Sequence, residues 1–150
     1  MPDPHFAAVP GGFTPVIAPE DSFDALYGLE IVDSGSDDGS LRGRVAIRDQ
    51  LLGPSGELHG GVIAAVAESL ASRGTLVGVN DPTMLVMGLS NETSHVAPLR
   101  AGSLNAVAVP RDRGRELWLW EVQSRDDDQH LCALTIVTIA IRPQSGRRAS

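Results

Sequence analysis

Leu58-His59-Gly60-Gly61-Val62-Ile63-Ala64-Ala65-Val66-Ala67-Glu68-Ser69-Leu70-Ala71-Ser72-Arg73-Gly74-Thr75-Leu76-Val77-Gly78-Val79 is the stretch that decides the architecture. Gly53-Pro54-Ser55-Gly56 breaks the chain before it, and Asn80-Asp81-Pro82 breaks it after. Its length, its alanines and its lack of proline favour a helix over a strand, predicted for residues 62–79. Polar residues inside it are few. Glu68, Ser72 and Thr75 fall at i, i+4 and i+7 and so share one face. The other sides are almost wholly apolar, the pattern of a helix wrapped by a sheet or covered by a partner subunit.

The flanking sequence supplies that sheet. Before the helix, Leu29-Glu30-Ile31-Val32 and Leu41-Arg42-Gly43-Arg44-Val45-Ala46-Ile47 flank a Gly/Ser/Asp cluster, and the second segment alternates as a half-buried strand does. A first hairpin is expected there. After the helix, residues 84–89, 104–109, 117–122 and 131–141 are rich in Val, Ile, Leu, Thr and Trp. Short polar turns separate them, at residues 98–102, 111–114 and 126–129, which predicts an antiparallel meander. Two strands, one long helix and four strands make an α+β domain in which one helix lies across a curved antiparallel sheet. The domain is expected over residues 21–143, after a flexible leader at 1–20 that holds five of the ten prolines, and before a tail at 144–150.

Composition narrows the function. Hydrophobic residues at 42% and charged residues at 21% suit one soluble globular core. The apolar run at 131–141 is too short to span a bilayer, and residues 1–19 lack a basic start followed by an apolar stretch, so a cytoplasmic protein with no membrane partner is expected. A single cysteine, Cys132, excludes an internal disulfide framework. The net charge of -7 argues against nucleic-acid binding, which needs a basic face. The charge is nonetheless uneven. Residues 1–99 hold 4 Arg against 13 Asp plus Glu, and residues 100–150 hold 8 against 6.

No G-x-S-x-G elbow, phosphate loop or dinucleotide fingerprint occurs, and the four histidines form no metal-binding spacing. What remains is His59-Gly60-Gly61 at the helix entrance, with Glu68 further along. Backbone N–H groups at a helix N-terminus are free to donate, and glycine lets a substrate carbonyl approach them, so this end can serve as an oxyanion site. Glu68 interrupts an apolar helix, where burying an unpaired charge is costly. Near a reacting carbonyl it could act as nucleophile or as general base. It could equally be a carboxylate satisfied at a subunit contact. For His59, ordering the glycine turn is the better reading than proton transfer.

Leu58-His59-Gly60-Gly61, with Glu68 and Ser72 at their spacing, resembles the helix signature of the hot-dog-fold thioesterases of the PaaI and 4-hydroxybenzoyl-CoA thioesterase type. Asn91-Glu92-Thr93-Ser94-His95-Val96-Ala97-Pro98, Leu117-Trp118-Leu119-Trp120-Glu121-Val122 and the run from Arg125 to Pro143 extend the likeness to the Arthrobacter-type enzyme over roughly residues 25–143. The resemblance implies acyl-CoA hydrolysis with Glu68 as catalytic carboxylate, the Gly60 N–H polarising the thioester carbonyl and Ser72 assisting water. It implies no metal or organic cofactor, coenzyme A being part of the substrate. It further implies a dimer that sets Gly60 of one subunit opposite Glu68 of the other, with pairs of dimers often forming a homotetramer.

The family's usual Gln or Asn six residues before the motif His is Gly53 here, and Gln50 is the nearby substitute if the 53–56 loop folds back. The family's phosphate-gripping residues are not reproduced, and charge and location leave Arg115, Arg142, Arg147 and Arg148 as candidates. Two alternatives stay open: an enoyl-CoA hydratase or dehydratase, which needs a His paired with a carboxylate, and a non-catalytic acyl-CoA-binding protein.

Overall fold

The computed structural model describes residues 15–33 and 37–145. Its centre is the helix α2, Gly60–Val79, two residues longer at its start than the sequence pattern indicates. The extra residues follow from the cap: the His59 side chain accepts from the Gly61 N–H at 2.8 Å, so the helix can begin directly after it. At the other end Asn80 takes a left-handed conformation, φ 47°, and its N–H closes on the Leu76 carbonyl. Ile63, Val66, Ala67, Leu70, Ala71, Gly74 and Thr75 are buried, a stripe recurring every three or four residues. By length and hydropathy α2 could cross a membrane, but that stripe packs into the core of the sheet.

The strands are β1 (Glu30–Asp33), β2 (Leu41–Ala46), β3 (Met84–His95), β4 (Ser103–Arg113), β5 (Leu117–Arg125) and β6 (Leu131–Pro143). They form one sheet in the order β1-β2-β4-β5-β6-β3, with antiparallel neighbours throughout. The hairpin β1–β2 and the single wrapped helix agree with the sequence reading, and this is the hot-dog architecture. The meander does not hold as expected. Only β4, β5 and β6 follow one another, while β3 pairs with β6 at the far edge and β2 lies beside β4. Residues 98–102 are therefore not a hairpin turn. The chain there passes the start of α2, where the Leu58 N–H donates to the Leu99 carbonyl at 2.6 Å and Leu99 is buried.

β3 also runs six residues beyond the expected end at residue 89. Ser90-Asn91-Glu92-Thr93-Ser94-His95 lacks apolar alternation because this is an edge strand, held by its ladder to β6. Asn91 ties it to the helix, its Nδ2 donating to the Ala64 carbonyl at 2.9 Å. A short helix, α1 (Phe23–Tyr27), was not foreseen. Ser22 caps it, and Gly28 ends it at φ 80°. Its Tyr27 is buried against α2, where the phenol donates to Asp24 at 2.7 Å and lies 3.2 Å from the Ser69 hydroxyl. Burial pushes this phenol far above its ordinary range, so it stays a neutral donor.

Two tryptophans set how closely helix and sheet approach. A Cβ at Gly74 would run into the ring of Trp120, and one at Gly78 into Trp118. The indole of Trp120 donates to Thr75 Oγ1 at 2.8 Å, which donates in turn to the Ala71 carbonyl at 2.8 Å. Thr75 thus serves the core rather than the polar face expected to include Glu68 and Ser72. The same helix side meets Trp120 at Thr75 and the edge strand β3 at Glu68.

Candidate active site

The first cleft lies at the start of α2, a space of about 360 Å³ lined by Glu57, Leu58, Gly60, Ile63 and residues 95–99. His59 accepts from the Gly61 N–H, and the Val62 N–H donates to the His59 carbonyl. Among the described hydrogen bonds none uses the Gly60 N–H, so of the two glycines Gly60 is left with a donor for a substrate oxygen. His59 is the cap that the residues suggested. His95, from the end of β3, lies so close that a Cβ at Gly60 would stand 2.9 Å from its ring. The sequence reading did not single out His95 as a site residue. Only the extension of β3 past residue 89 brings it to the helix entrance.

The second cleft, about 340 Å³, lies beside α2 and is lined by Glu68, Ser72, Ser69, Arg73 and Asp24, with Leu76, residues 84–86 and Gln144. Glu68 is exposed in the single chain, against the expectation of burial, because its side of the helix looks past the edge strand rather than under the sheet. Its carboxylate rests on Gly88 of β3, at the shift of register between Gly88 and Ser90. A Cβ at Gly88 would overlap Glu68 Oε1. Glu68 can swing aside, so Gly88→Ala should leave the fold intact while displacing the carboxylate. On the role that the family resemblance implies for Glu68, turnover should fall about tenfold or more, as misplacement of a reacting group by an ångström does; thiol release at saturating substrate, beside an unchanged thermal midpoint, checks it.

Behind Glu68, the Asp24 carboxylate accepts from Tyr27 and from Ser69 Oγ at 2.6 Å. Arg73 is half-buried, and loss of water draws its guanidinium below the ordinary range while the charge of Asp24 pulls the other way. Neither Gly88 nor Arg73 stood out in the sequence. Gly88 needs the β3 register to be seen, and Arg73 looks like a surface residue until α1 brings Asp24 beside it.

Eight residues separate Gly60 from Glu68, which places them about 12 Å apart along the helix axis. They line different clefts. A single chain therefore does not present both to one carbonyl.

Gln50 is exposed in the turn Asp49–Leu51. The turn after it closes on itself, with the Gly53 N–H donating to the Glu57 carbonyl at 2.7 Å and a Cβ at Gly53 lying 4.0 Å from His59, and Gln50 lines neither cleft. Arg115 is exposed in the β4–β5 turn. Arg142 Nη1 donates to the carbonyls of Glu116 at 3.1 Å and Ile141 at 3.0 Å. Both stand at the sheet end where α2 finishes, away from Gly60. Arg147 and Arg148 lie outside the described residues. Arg100, paired with Glu57 at 2.8 Å beside the Gly60 cleft, is a cation outside the four arginines expected to hold phosphate.

Cys132 is buried and free, its thiol pushed up chiefly by that burial. Among the described residues, Asp126, Asp128 and His130 could approach a cation, but Asp126 already accepts from the Asp128 and His130 N–H groups as an ordinary turn.

Residues 55–133 match the profile of the Thioesterase superfamily. A 1,4-dihydroxy-2-naphthoyl-CoA hydrolase of Listeria monocytogenes is 30% identical over 115 residues, 77% of this chain and 91% of that one. Among solved structures, thioesterase HI1161 of Haemophilus influenzae superposes with a TM-score of 0.77 at 26% identity, covering 86% of this chain and 88% of its own. Thioesterase PA1618 of Pseudomonas aeruginosa, solved as a glutamine-to-alanine mutant, gives a TM-score of 0.79 at 28% identity over 83% and 88%.

Proposed function

Because the chain belongs to the thioesterase superfamily, we propose that it hydrolyses acyl-CoA thioesters of the PaaI and 4-hydroxybenzoyl-CoA type at sites shared between two subunits. The observation that carries this reading is the separation of Gly60 and Glu68 into two clefts within one chain. Pairing two copies would set the oxyanion donor of one against the carboxylate of the other. The edge strand β3 supports such pairing: it exposes Leu85, Met87 and Leu89, and an unpaired strand edge invites another.

In the proposed reaction the Gly60 N–H stabilises the oxyanion that forms at the thioester carbonyl. Glu68 either attacks the carbonyl carbon, expelling the coenzyme A thiolate and leaving an anhydride that water opens, or removes a proton from the attacking water. Ser72, one turn further on, is placed to orient that water. No cofactor is needed beyond the coenzyme A of the substrate. The aromatic naphthoyl-CoA substrate in the name of the Listeria relative supports an aromatic acyl group. The cytoplasmic setting expected from the sequence goes with this reading, since a lone buried thiol suits a reducing compartment. The hydratase alternative needs a His paired with a carboxylate, and among the described ion pairs neither His59, engaged as a cap, nor His95 is set against one.

Thiol release from a panel of aryl and alkyl acyl-CoAs tests the reaction; none from any member would reject it. Light scattering should give at least twice the chain mass of 15.8 kDa. A monomer at micromolar concentration would reject the shared site, and a dimer or a dimer of dimers would fit it.

A further inference from the structure

Side chains along a strand alternate between its two faces, so Gly88 and Asn91, three residues apart on β3, would point to opposite faces of a regular strand. The register against β6 places them otherwise. Gly88 pairs with Ile139, Asn91 with Val137 and Thr93 with Thr135, and all three partners are fully buried. Leu89 is the extra residue at the shift between Gly88 and Ser90, and this bulge brings Asn91 and Thr93 round to the face that Gly88 shares with the helix. α2 meets them in order. Glu68 rests on Gly88, and Ala64, about one turn earlier in the helix, receives the Asn91 side chain.

A directed chain of hydrogen bonds runs from the core to that turn. The Ala64 carbonyl can only accept, which fixes the Asn91 amide with its nitrogen toward the helix, at 2.9 Å, and its oxygen toward Thr93. Thr93 gives its one hydroxyl proton to that oxygen at 2.8 Å, so the fully buried Thr135 hydroxyl, 3.0 Å away, donates to Thr93. Ala64 lies four residues before Glu68, and in an α-helix its carbonyl is also the acceptor of the Glu68 backbone N–H. Asn91 thus bonds the atom that holds the backbone of Glu68. Among the described hydrogen bonds none holds the exposed Glu68 side chain itself, so its place is set by Gly88 beneath it and by the backbone that carries it.

We propose that Asn91 is a positioning residue for the reaction: through the Ala64 carbonyl it pins the Glu68 turn of α2 to β3, and so fixes where the carboxylate stands. The inference rests on the reading of Glu68 as the reacting carboxylate. The bulge at Leu89 is the device that makes it possible, since without it the Asn91 amide would face away from the helix.

The test compares the full-length wild type, Asn91→Ala, Glu68→Gln and the double variant by thiol release from benzoyl-CoA and hexanoyl-CoA, with mass and circular dichroism confirming assembly and fold. Asn91→Ala should lower kcat about tenfold, as misplacement of a reacting group does, while KM changes less than about twofold because Asn91 bonds the helix and not the substrate. In the Glu68→Gln background the same substitution should cost less than about twofold, since a residue that acts only through the carboxylate then has nothing to place. An equal loss in both backgrounds comes from the fold and overturns the role. So does wild-type turnover in Asn91→Ala. Either result leaves hydrolysis at Glu68 standing. Full activity in Glu68→Gln, or no thiol released from either ester by the wild type, removes the reading on which the inference rests and overturns it as well. Where Asn91→Ala fails to fold or assemble, Thr93→Val decides in its place, because it keeps the volume and frees the Asn91 amide. A kcat lowered in the wild-type background and unmoved in the Glu68→Gln background supports the role; a kcat unmoved, or lowered equally in both, overturns it.

Discussion

Glu68→Gln should fold and assemble as the wild type does and lose at least about 100-fold in kcat, or about 2.7 kcal/mol of transition-state stabilisation. The amide keeps the shape and length of the carboxylate, so its rest against Gly88 and its place in the cleft are preserved. It loses what both routes need. An amide oxygen is a poor nucleophile and a poor base, and a nucleophile contributes at least as much as the ~10²–10⁴-fold of a positioned base. KM should change little, because the nucleotide and the acyl end are held by other groups. Ser72→Ala should cost less, since a hydroxyl that orients water assists the carboxylate. The measurement is thiol release under saturating acyl-CoA, with mass and circular dichroism run alongside. Near-wild-type turnover in a folded Glu68→Gln assembly would remove Glu68 from the chemistry.

Trp120→Ala should destabilise the protein by about 3–5 kcal/mol, the cost of emptying a large aromatic site in a packed core. Trp120 is fully buried, and its ring occupies the space over Gly74 that lets α2 approach the sheet. Its loss also deprives Thr75 of the indole donor. Against a typical total of roughly 5–15 kcal/mol, such a loss leaves a fold close to its limit. Thr75→Val orphans the buried indole N–H and should cost about 1–3 kcal/mol with little change in volume. Denaturant midpoints at constant slope measure both. A Trp120→Ala midpoint within a few tenths of a molar of wild type would mean that the helix and sheet repack around the gap.

The helix and the order of the main elements could be read from the sequence because α2 is a long alanine-rich run without proline, and proline or glycine marks both its ends. The edge strand could not. Its second half, residues 90–95, is polar, and its place beside β6 depends on where the chain passes the start of α2, which no local pattern encodes. The same gap hid His95 and Gly88, whose positions are consequences of the β3 register. Glu68, Gly60, Ser72 and His59 were legible as a spaced motif. That His59 orders the glycine turn was legible as well, whereas which of the two glycine N–H groups it takes was not, because that is a matter of side-chain direction. Thr75 was assigned to the polar face by its spacing alone, which takes no account of what covers each turn of the helix.

β3 carries two burdens at once. It is the open edge of the sheet, and its Gly88 is the surface on which the Glu68 carboxylate rests. On the shared-site reading, association and chemistry then report on each other. Specific activity becomes a function of dilution, falling as chains separate, and a substrate that bridges two subunits holds them together by its own binding energy. Substitutions along this strand that never touch a substrate would register first as a change in the concentration at which the enzyme switches on.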